Sequence, residues 1–400
     1  MVIRETLETN VLGEYDVAVC GGGVAGIAAA LAAARQGGKT LLIEQQFMLG
    51  GLGTAGLITV YLAICDGCGR QISFGIAEEL LRLSITHGAE ARYPANWLDG
   101  VGSRGKTDKR FEARYNPQLF AILAEDLLRQ NGVEILYGTR LAGVQTEAGK
   151  ITHLMVENKS GRSAYRVRSV VDATGDCDAA WLAGAPTREF AGGNVLAAWY
   201  YSVGKEGYKL NMLGFADIPE RGTTDGNRVK LSEAVKFRGL EGAELSEMTI
   251  QAHRTMYQDF LKQREKDSEH FPVTMASIPQ VRMTRRIQGE YELSDREVHT
   301  YFPDSIGMIP DWKRRGPVYE VPFRSLYSAK VKNLITAGRC TSADDAMWDI
   351  IRVIPCCAVT GQAAGTAAAM SDDFPTLDVA LLQKQLMCDG VVLHEQDLEN

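Results

Sequence analysis

Residues 15–44 read YDVAVCGGGVAGIAAALAAARQGGKTLLIE, and this stretch predicts a strand, a glycine turn, a helix and a second strand. Gly21, Gly23 and Gly26 have the G-x-G-x-x-G spacing, which allows a tight turn, close approach of backbone to a pyrophosphate and close contact between helix and strand. The helix N-terminus offers N–H groups and a positive dipole end to phosphate oxygens. Glu44 ends the second strand, where a carboxylate suits the hydroxyls of an adenosine ribose. The stretch therefore predicts a dinucleotide site, without separating FAD from NAD.

Composition and charge narrow the class of protein. The chain has 400 residues, enough for two or more structural units, and a formal net charge of −7. It has no long basic run, so we expect neither nucleic acid nor a membrane surface as the main partner. No apolar run is long enough to span a bilayer, and the first residues, MVIRETLETN, lack the apolar core of a signal peptide. These features predict a cytoplasmic protein and leave the oligomeric state open, with a homo-oligomer among the alternatives.

A segment of small residues follows the ribose acid. Gly51, Gly53 and Thr54 belong to LGGLGTAG, which comes shortly after Glu44 and Gln45. Such a segment can pass close to a bound cofactor without colliding with it, because glycine has no side chain. We therefore predict a cofactor contact here, and an ordinary loop is the alternative.

Two other motifs suggest different chemistry. Cys65 and Cys68 form a C-x-x-C, which fits a redox pair or half of a metal site, but no second pair of ligands follows. Residues 100–107, GVGSRGKT, match the P-loop pattern, but no apolar strand precedes them. We expect small buried thiols in the first case and an exposed basic loop in the second, with no metal.

Small residues also follow two later strands. An apolar strand ends at Asp172 and continues into Ala173-Thr174-Gly175-Asp176, which predicts a second small-residue edge near the cofactor, with a tight turn as the alternative. Residues 333–337 predict a further strand, which ends at Gly338 and Arg339. Pro355 then begins a helix rich in glycine and alanine, and its N-terminus would favour negative charge on a bound ligand. The chain thus returns to the nucleotide domain near its end.

Residues 186–325 contain long polar helices, such as SEMTIQAHRTMYQDFLKQREKD, and predict a cap or substrate domain. Arg282, Arg285 and Arg286 fall within five positions, and on a strand Arg282 and Arg286 would share one face. An anion clamp for a substrate carboxylate is one interpretation, and a solvated basic face is the other. His299 follows and is a candidate acid or base.

Several co-linear motifs resemble those of the FAD-dependent oxidoreductases of the glutathione-reductase-like superfamily, in the generic subgroup that bears only that description. They are CGGGVAG, LLIE, LGGLGTAGLI, VVDATGDCDAA, RRIQGEYELSD, NLITAGRCTSA and RVIPCCAVTGQAAGTAAA, and they cover most of the chain. The resemblance implies an FAD cofactor. It also implies the cofactor contacts Gly21, Gly23, Val24, Ala25, Gly26, Glu44, Gln45, Gly51, Gly53, Thr54, Ala173, Thr174, Gly175, Asp176, Gly338, Arg339, Pro355, Gly361, Gln362 and Ala363.

The chain departs from the family pattern at three points. Arg339 stands where many superfamily members have Asp, and Asp345 stands at or beside the place where the subgroup often has a histidine. No second strand-linked G-x-G-x-x-G is evident, so we expect no built-in NAD(P)H domain like that of the disulfide reductases.

The sequence therefore predicts an α/β protein with a Rossmann-like FAD-binding domain on a parallel sheet, a β-meander insertion and an inserted α+β cap. The predicted parts are residues 1–185 and 326–370 for the FAD domain, 186–325 for the cap or substrate domain, and 371–400 for a tail helix. We expect hydride transfer between a small organic substrate and flavin N5, with an anionic substrate as one alternative and an unknown electron acceptor or donor. The candidate catalytic residues are Asp345 or His299 as proton carrier and Arg282, Arg286 and Arg352 for anion contact.

Two alternatives to this function remain. One is an FAD-dependent reductase or modifying enzyme that acts on a macromolecule or a partner protein. The other is a flavin-binding subunit with no turnover of its own.

Overall fold

The computed structural model describes residues 2–87, 112–214 and 235–399. The chain divides into two compact units. The first comprises Met1–Gly51, Val60–Arg188 and Arg285–Asn400, and the second comprises Leu52–Thr59 and Glu189–Thr284. Residues 100–107, the P-loop-like motif, lie outside the described residues.

Both units combine strands and helices. The strands in chain order are β1 (Val11–Cys20), β2 (Thr40–Ile43), β3 (Val60–Tyr61), β4 (Ala113–Arg114), β5 (Glu134–Leu136), β6 (Arg140–Glu147), β7 (Lys150–Asn158), β8 (Gly161–Asp172), β9 (Thr187–Glu189), β10 (Ala198–Gly204), β11 (Gly207–Leu213), β12 (Phe271–Met275), β13 (Arg285–Ile287), β14 (Ser305–Pro310), β15 (Val318–Pro322) and β16 (Leu334–Thr336). The helices are α1 (Val24–Arg35), α2 (Ile76–Thr86), α3 (Pro117–Gln130), α4 (Asp178–Leu182), α5 (Gly242–Lys266), α6 (Asp345–Ile351), α7 (Ile354–Met370) and α8 (Val379–Cys388).

A parallel sheet forms the centre of the first unit, with strand order β5-β2-β1-β8-β16. The strand β8 is long because it serves two partners along one edge. Its first part pairs antiparallel with β7 in the β6-β7-β8 meander, and its last residues pair parallel with β16. The carboxyl ends of β1, β8 and β16 therefore meet at one edge of the sheet, where open α/β sheets bind their ligands.

The helices α1 and α7 pack against each other in this unit. Both are nearly all small residues, and almost every residue of each is buried. A Cβ at Gly361 would overlap the carbonyl oxygen of Ala25, and a Cβ at Gly365 would overlap that of Ala29. The glycines of α7 thus set how closely the two helix backbones approach.

The second unit contains a three-stranded antiparallel sheet, in the order β11-β10-β12, and the long helix α5. Ala198 and Tyr200 of β10 pack against Ala252 and Met256 of α5. On the next position along the strand, Trp199 packs with Leu57 in a separate cluster. The alternation follows from the period of two of a strand, which sends successive side chains to opposite faces.

The fold class predicted from the sequence is confirmed: the central sheet is mostly parallel, and a meander extends it. The two units divide the chain differently from the predicted domains, and two segments account for most of the difference. Residues 52–59 belong to the second unit, where Gln280 donates to the carbonyl oxygen of Gly56 at 2.6 Å. Residues 285–325 belong to the first, because the hairpin of β14 and β15 packs there: the Ser305 hydroxyl donates to the Leu393 carbonyl at 2.6 Å.

Within the described ranges, no single helix is both long and apolar enough to cross a bilayer. The helices α6 and α7 pass that test of length and composition only as a pair, and they are bent by 89° at the break between them.

Candidate functional site

In the glycine turn after β1, two of the three motif glycines are crowded by backbone and the third faces open space. Gly21 has a φ of +100°, and a Cβ there would lie 2.5 Å from the carbonyl oxygen of Ala173. A Cβ at Gly26 would overlap the carbonyl oxygen of Gly21. At Gly23, by contrast, a Cβ would meet nothing within 4 Å, and Gly23 is the N-cap of α1 with no side chain capping the helix. The turn therefore offers backbone N–H groups and open space together, which is what a pyrophosphate needs.

Glu44 is fixed beside this turn. Its carboxylate accepts hydrogen bonds from the backbone N–H of Gly22 at 2.6 Å and of Gln46 at 2.7 Å. Burial raises the pKa of Glu44, and these backbone donors act in the opposite direction because they favour the ionised form. Gln45, two residues after β2, is exposed. The structure thus places the predicted ribose acid next to the predicted pyrophosphate turn.

The loop at residues 50–51 also reaches the turn. Gly50 N–H donates to the carbonyl oxygen of Gly22 at 2.8 Å. Gly51 has a φ of +54°, and a Cβ there would lie 3.3 Å from the Cα of Gly23. Gly53 and Thr54 belong to the second unit, so a cofactor contact at these two residues stays a prediction.

The segments after β8 and β16 come together. Gly175 has a φ of +82°, and a Cβ there would overlap the guanidinium of Arg339, which lies 3.6 Å from the carboxylate of Asp176. Gly338 N–H donates to the Thr360 hydroxyl at 2.9 Å, and a Cβ at Gly338 would lie 2.8 Å from that of Ala25. Two segments more than 160 positions apart thus converge on the start of α1.

Three of the predicted cofactor residues on α7 have contacts inside the protein instead. Gly361 packs on α1, and Ala363 has no exposed surface. The side-chain oxygen of Gln362 accepts a hydrogen bond from the N–H of Ile76 at 2.8 Å, at the first turn of α2. These residues lie two turns into the helix, and the contacts that the structure shows for them are packing and capping. Pro355, at the first turn of α7, is buried, and a contact there stays a prediction.

Arg286 was predicted as an anion clamp, and the structure places it in the interior. Its side chain is 0% exposed, and its guanidinium lies 2.8 Å from Glu292, 3.8 Å from the Oδ1 of Asp345 and over the ring of Trp348. A fully buried guanidinium between two carboxylates cannot reach a substrate unless the protein rearranges. The carboxylate of Asp345, in contrast, belongs to a side chain that is 43% exposed.

The other three candidate catalytic residues are held by protein partners. Arg352 forms an ion pair with Asp349, and burial lowers its pKa to about 10. His299 is half exposed and lies 2.7 Å from Glu395, in the C-terminal segment. Neither residue is brought to Asp345 by a contact in the described part of the chain.

Arg282 lies in the second unit, where its guanidinium donates to the side-chain oxygen of Gln280 at 2.9 Å and lies over the ring of Trp199. A role for Arg282 in anion contact stays a prediction.

Sequence reasoning missed the group that orders the turn after β8. Asp172 is fully buried and accepts hydrogen bonds from the N–H and hydroxyl of Thr174 and from the N–H of Ala180. Cys177 N–H donates to the sulfur of Cys340 at 3.2 Å, and burial raises the pKa of the Cys177 thiol. A carboxylate at the end of an apolar strand was the available signal for Asp172. Nothing in the sequence indicates that two cysteines so far apart are neighbours.

Arg285 is the second omission. The sequence assigns it no contact, and in the structure it donates to the carbonyl oxygen of Asp176 at 3.0 Å and to the carboxylate of Asp178 at 2.6 Å. It therefore ties β13 to the turn after β8.

The C-x-x-C motif has one buried and one exposed thiol. Cys65 is buried, which raises its pKa to about 12, and Cys68 is exposed. All eight cysteines are free thiols. Asp172, Cys177 and Cys340 form the one buried group of three with ligand atoms within 4.8 Å among the described residues, and Cys65 and Cys68 do not join it.

The parallel sheet, the glycine turn with its uncapped helix and the buried acid beside it define a protein that binds a dinucleotide at the carboxyl edge of its sheet. The sequence pattern of the family described as FAD dependent oxidoreductase matches residues 16–195 and 194–386. The chain belongs to this family, so the predicted resemblance is confirmed. This family is that of the FAD-dependent oxidoreductases, with FAD as the cofactor, and the open space at Gly23 fits the pyrophosphate of that cofactor.

A curated relative is similar to part of the chain. It is the tRNA uridine 5-carboxymethylaminomethyl modification enzyme MnmG 1 of Fusobacterium nucleatum, 30% identical over 157 residues, which are 36% of this chain and 25% of that protein. The chain thus matches about a quarter of the length of this relative.

Two solved structures are similar over most of the chain. L-amino acid deaminase from Proteus vulgaris has a TM-score of 0.45 at 12% identity and covers 94% of both chains. A geranylgeranyl bacteriochlorophyll reductase-like protein from Thermoplasma acidophilum has a TM-score of 0.43 at 13% identity, covering 95% of this chain and 84% of its own.

Proposed function

We propose that this protein transfers a hydride between a small organic substrate and the N5 position of bound FAD, with Asp345 as the proton carrier. The observation that carries the proposal is the placement of Asp345. It opens α6, five residues after the Gly338–Cys340 turn that meets the start of α1, and its carboxylate is half exposed. Of the candidates in the first unit, Asp345 alone combines an exposed acid with a place in the segment that completes the nucleotide site.

The protein residues that hold the cofactor follow from the turn geometry. The N–H groups at the start of α1 would hold the pyrophosphate, and Glu44 would accept hydrogen bonds from the ribose. When bound, FAD accepts or returns the hydride, and the protein supplies orientation and proton transfer.

The carboxylate of Asp345 has one buried oxygen on a side chain that is partly exposed. Its Oδ1 is buried and lies 3.8 Å from the guanidinium of Arg286, while the side chain as a whole is 43% exposed. Arg286 in turn contacts Glu292 and the ring of Trp348. One oxygen thus faces the Arg286 guanidinium, and the other is the one that takes a proton from a substrate hydroxyl, amine or carbon.

The experiment is an anaerobic reduction of the FAD-loaded protein. A panel of hydroxy acids, amino acids, amines, alcohols and enoates is mixed with oxidised enzyme, and loss of the yellow flavin absorbance reports hydride transfer. We expect at least one class to bleach the flavin. With that substrate, Asp345→Asn should slow reduction by about 100-fold, as expected for loss of a general acid–base group.

The control is Asp126→Asn, which removes an exposed carboxylate on α3 and should leave reduction unchanged. Bleaching that proceeds at the wild-type rate in Asp345→Asn would remove Asp345 from the mechanism. If no substrate class and no reductant changes the bound flavin, the alternative of a flavin-binding subunit without turnover replaces the proposal.

A second candidate is an FAD-dependent enzyme that modifies a macromolecule. The similarity to an enzyme named for tRNA uridine modification favours it, and the net charge of −7 opposes it, since RNA binding relies on basic surface. A filter-binding titration with transfer RNA at low and moderate salt separates the two candidates. Binding in the micromolar range that weakens with salt supports the second, and its absence leaves the small-molecule substrate.

A further inference from the structure

The helix α5 of the second unit has apolar side chains on two opposite faces. Met248, Ala252 and Met256 are buried, with Ala252 and Met256 packed on the sheet of that unit. Ile250, Tyr257 and Leu261 are exposed by 45%, 61% and 45% respectively. A helix that only covers a sheet needs one apolar stripe, so the second stripe calls for a separate explanation.

The spacing places the three exposed side chains in a row. They are separated by seven and four positions, which on a helix with 3.6 residues per turn puts them on one face. The row runs for about 17 Å along the axis at 1.5 Å per residue. We call Ile250, Tyr257 and Leu261 the outer stripe.

Acidic residues lie at the N-terminal end of α5, and mostly basic residues lie in its C-terminal half. The N-terminal end has Glu241, Glu244 and Glu247, with no lysine or arginine before residue 254. The C-terminal half has Arg254, Lys262, Arg264 and Lys266, against Asp259 and Glu265. Arg264 is held in place over the ring of Phe271 on β12, with its guanidinium carbon 4.2 Å from the ring centroid.

We propose that the outer stripe is an interface between two copies of this chain, formed by antiparallel pairing of their α5 helices. Antiparallel pairing brings the acidic end of each helix against the basic half of the other. A two-fold axis between residues 255 and 256 sets Ile250 opposite Leu261 of the second copy and Arg254 opposite Tyr257 of the second copy. The same axis sets Glu247 opposite Arg264.

Each of these pairs is chemically complementary. Ile250 with Leu261 buries two aliphatic side chains, Arg254 over Tyr257 is a cation–π pair, and Glu247 with Arg264 is an ion pair. The two-fold axis repeats each of the three pairs, so the two helices make six such contacts with each other, as in an isologous interface.

Other binding partners fit a helix with one acidic end and one basic end less well. An anionic membrane surface prefers a helix whose polar edges are basic throughout, and the glutamates at 241, 244 and 247 oppose that. A partner helix of one charge sign would meet like charges along half of the stripe. A second copy is complementary over the whole length because the charge division is reversed by the two-fold axis.

The test is sedimentation equilibrium of the full-length, FAD-loaded protein over a range of concentrations. We expect a reversible dimer that weakens as salt is raised, because exposed ion pairs contribute. Leu261→Glu should weaken dimerisation by at least about tenfold, since it places a charge in the apolar row. Glu247→Arg and Arg264→Glu should each weaken it by about threefold or more, and the double variant should restore it toward wild type.

The matched control is Leu381→Glu, which changes a leucine on α8 in the first unit that is 55% exposed, against 45% for Leu261. It should leave the dimer unchanged, and bound flavin absorbance confirms that each variant is folded. A protein that is monomeric at all concentrations, as it would be if its own residues cover the stripe, overturns the proposal. A dimer that survives Leu261→Glu, or charge variants whose combination does not restore association, overturns it equally.

Discussion

The start of α1 and the centre of α7 have nearly the same composition, and the structure uses their glycines in opposite ways. Gly23 at the start of α1 faces space in which a Cβ would meet nothing within 4 Å. Gly361 and Gly365 in α7 face the backbone of α1, with no room for a Cβ. A glycine that admits a ligand and a glycine that admits a neighbouring helix look alike in sequence, because both are required only by close approach of another group.

The largest loss of stability is expected at Gly365. Gly365→Val places a side chain on the carbonyl oxygen of Ala29 and forces α7 away from α1. We expect a loss of about 3 kcal/mol or more in the free energy of unfolding, or failure to fold. Urea unfolding followed by circular dichroism measures it. The control is Gly242→Ala at the start of α5, where a Cβ meets nothing within 4 Å and the free energy should change by less than about 0.5 kcal/mol.

A smaller loss of stability is expected at Gln362. Gln362→Leu removes the acceptor of the Ile76 N–H and leaves a buried donor without a partner, which costs about 2 kcal/mol. FAD affinity should stay within about twofold of wild type, because the side chain points to α2. Urea unfolding and a flavin fluorescence titration test both parts. A large loss of affinity with unchanged stability would return Gln362 to the cofactor site.

Gly23→Ala should show the reverse pattern. The backbone of Gly23 has a φ of −66°, which alanine adopts without strain, and a Cβ there has room in the protein alone. We expect unfolding of the FAD-free protein to be unchanged within about 0.5 kcal/mol and the Kd for FAD to rise by about tenfold, since the methyl group takes space next to the pyrophosphate. Unchanged affinity would show that the cofactor does not approach this turn.

The smallest expected effect is a pH dependence of stability that arises from Asp178, at the start of α4. Burial, together with the charges of Asp176 and Asp172, raises the pKa of Asp178 to about 6, while Arg285 opposes the shift. A raised pKa means that the folded protein binds this proton more tightly than the unfolded chain. Stability from this group is therefore present below about pH 4 and is lost as the pH rises through 6.

Asp178→Asn removes this titration, so its melting temperature relative to wild type should rise between pH 4 and pH 7. The shift is a few degrees at most, because 48% of the side-chain surface is exposed and solvent screens the charges. Melting curves at pH 4, 5.5 and 7 measure it. A difference between the two proteins that is constant with pH would contradict the assignment.

The sequence was informative wherever the relevant physics is local. The strand, turn and helix of residues 15–44 follow from apolar runs, glycine spacing and helix termination, and the structure has β1, α1 and β2 there. The burial of Arg286, one of the residues predicted for anion contact, had no local signal in the sequence. Its environment is made by Glu292, Asp345 and Trp348, which approach it only when the chain is folded.

The sequence alone determined the parallel-sheet fold class, the glycine turn, the acid at residue 44 and the FAD family, because each depends on residues a few positions apart or on motifs in a fixed order. Only the tertiary structure decided which glycines face open space, which arginines are buried and which cysteines are neighbours. Those properties depend on distances between segments that are remote in the chain, and such distances are set when the sheet and its helices pack together.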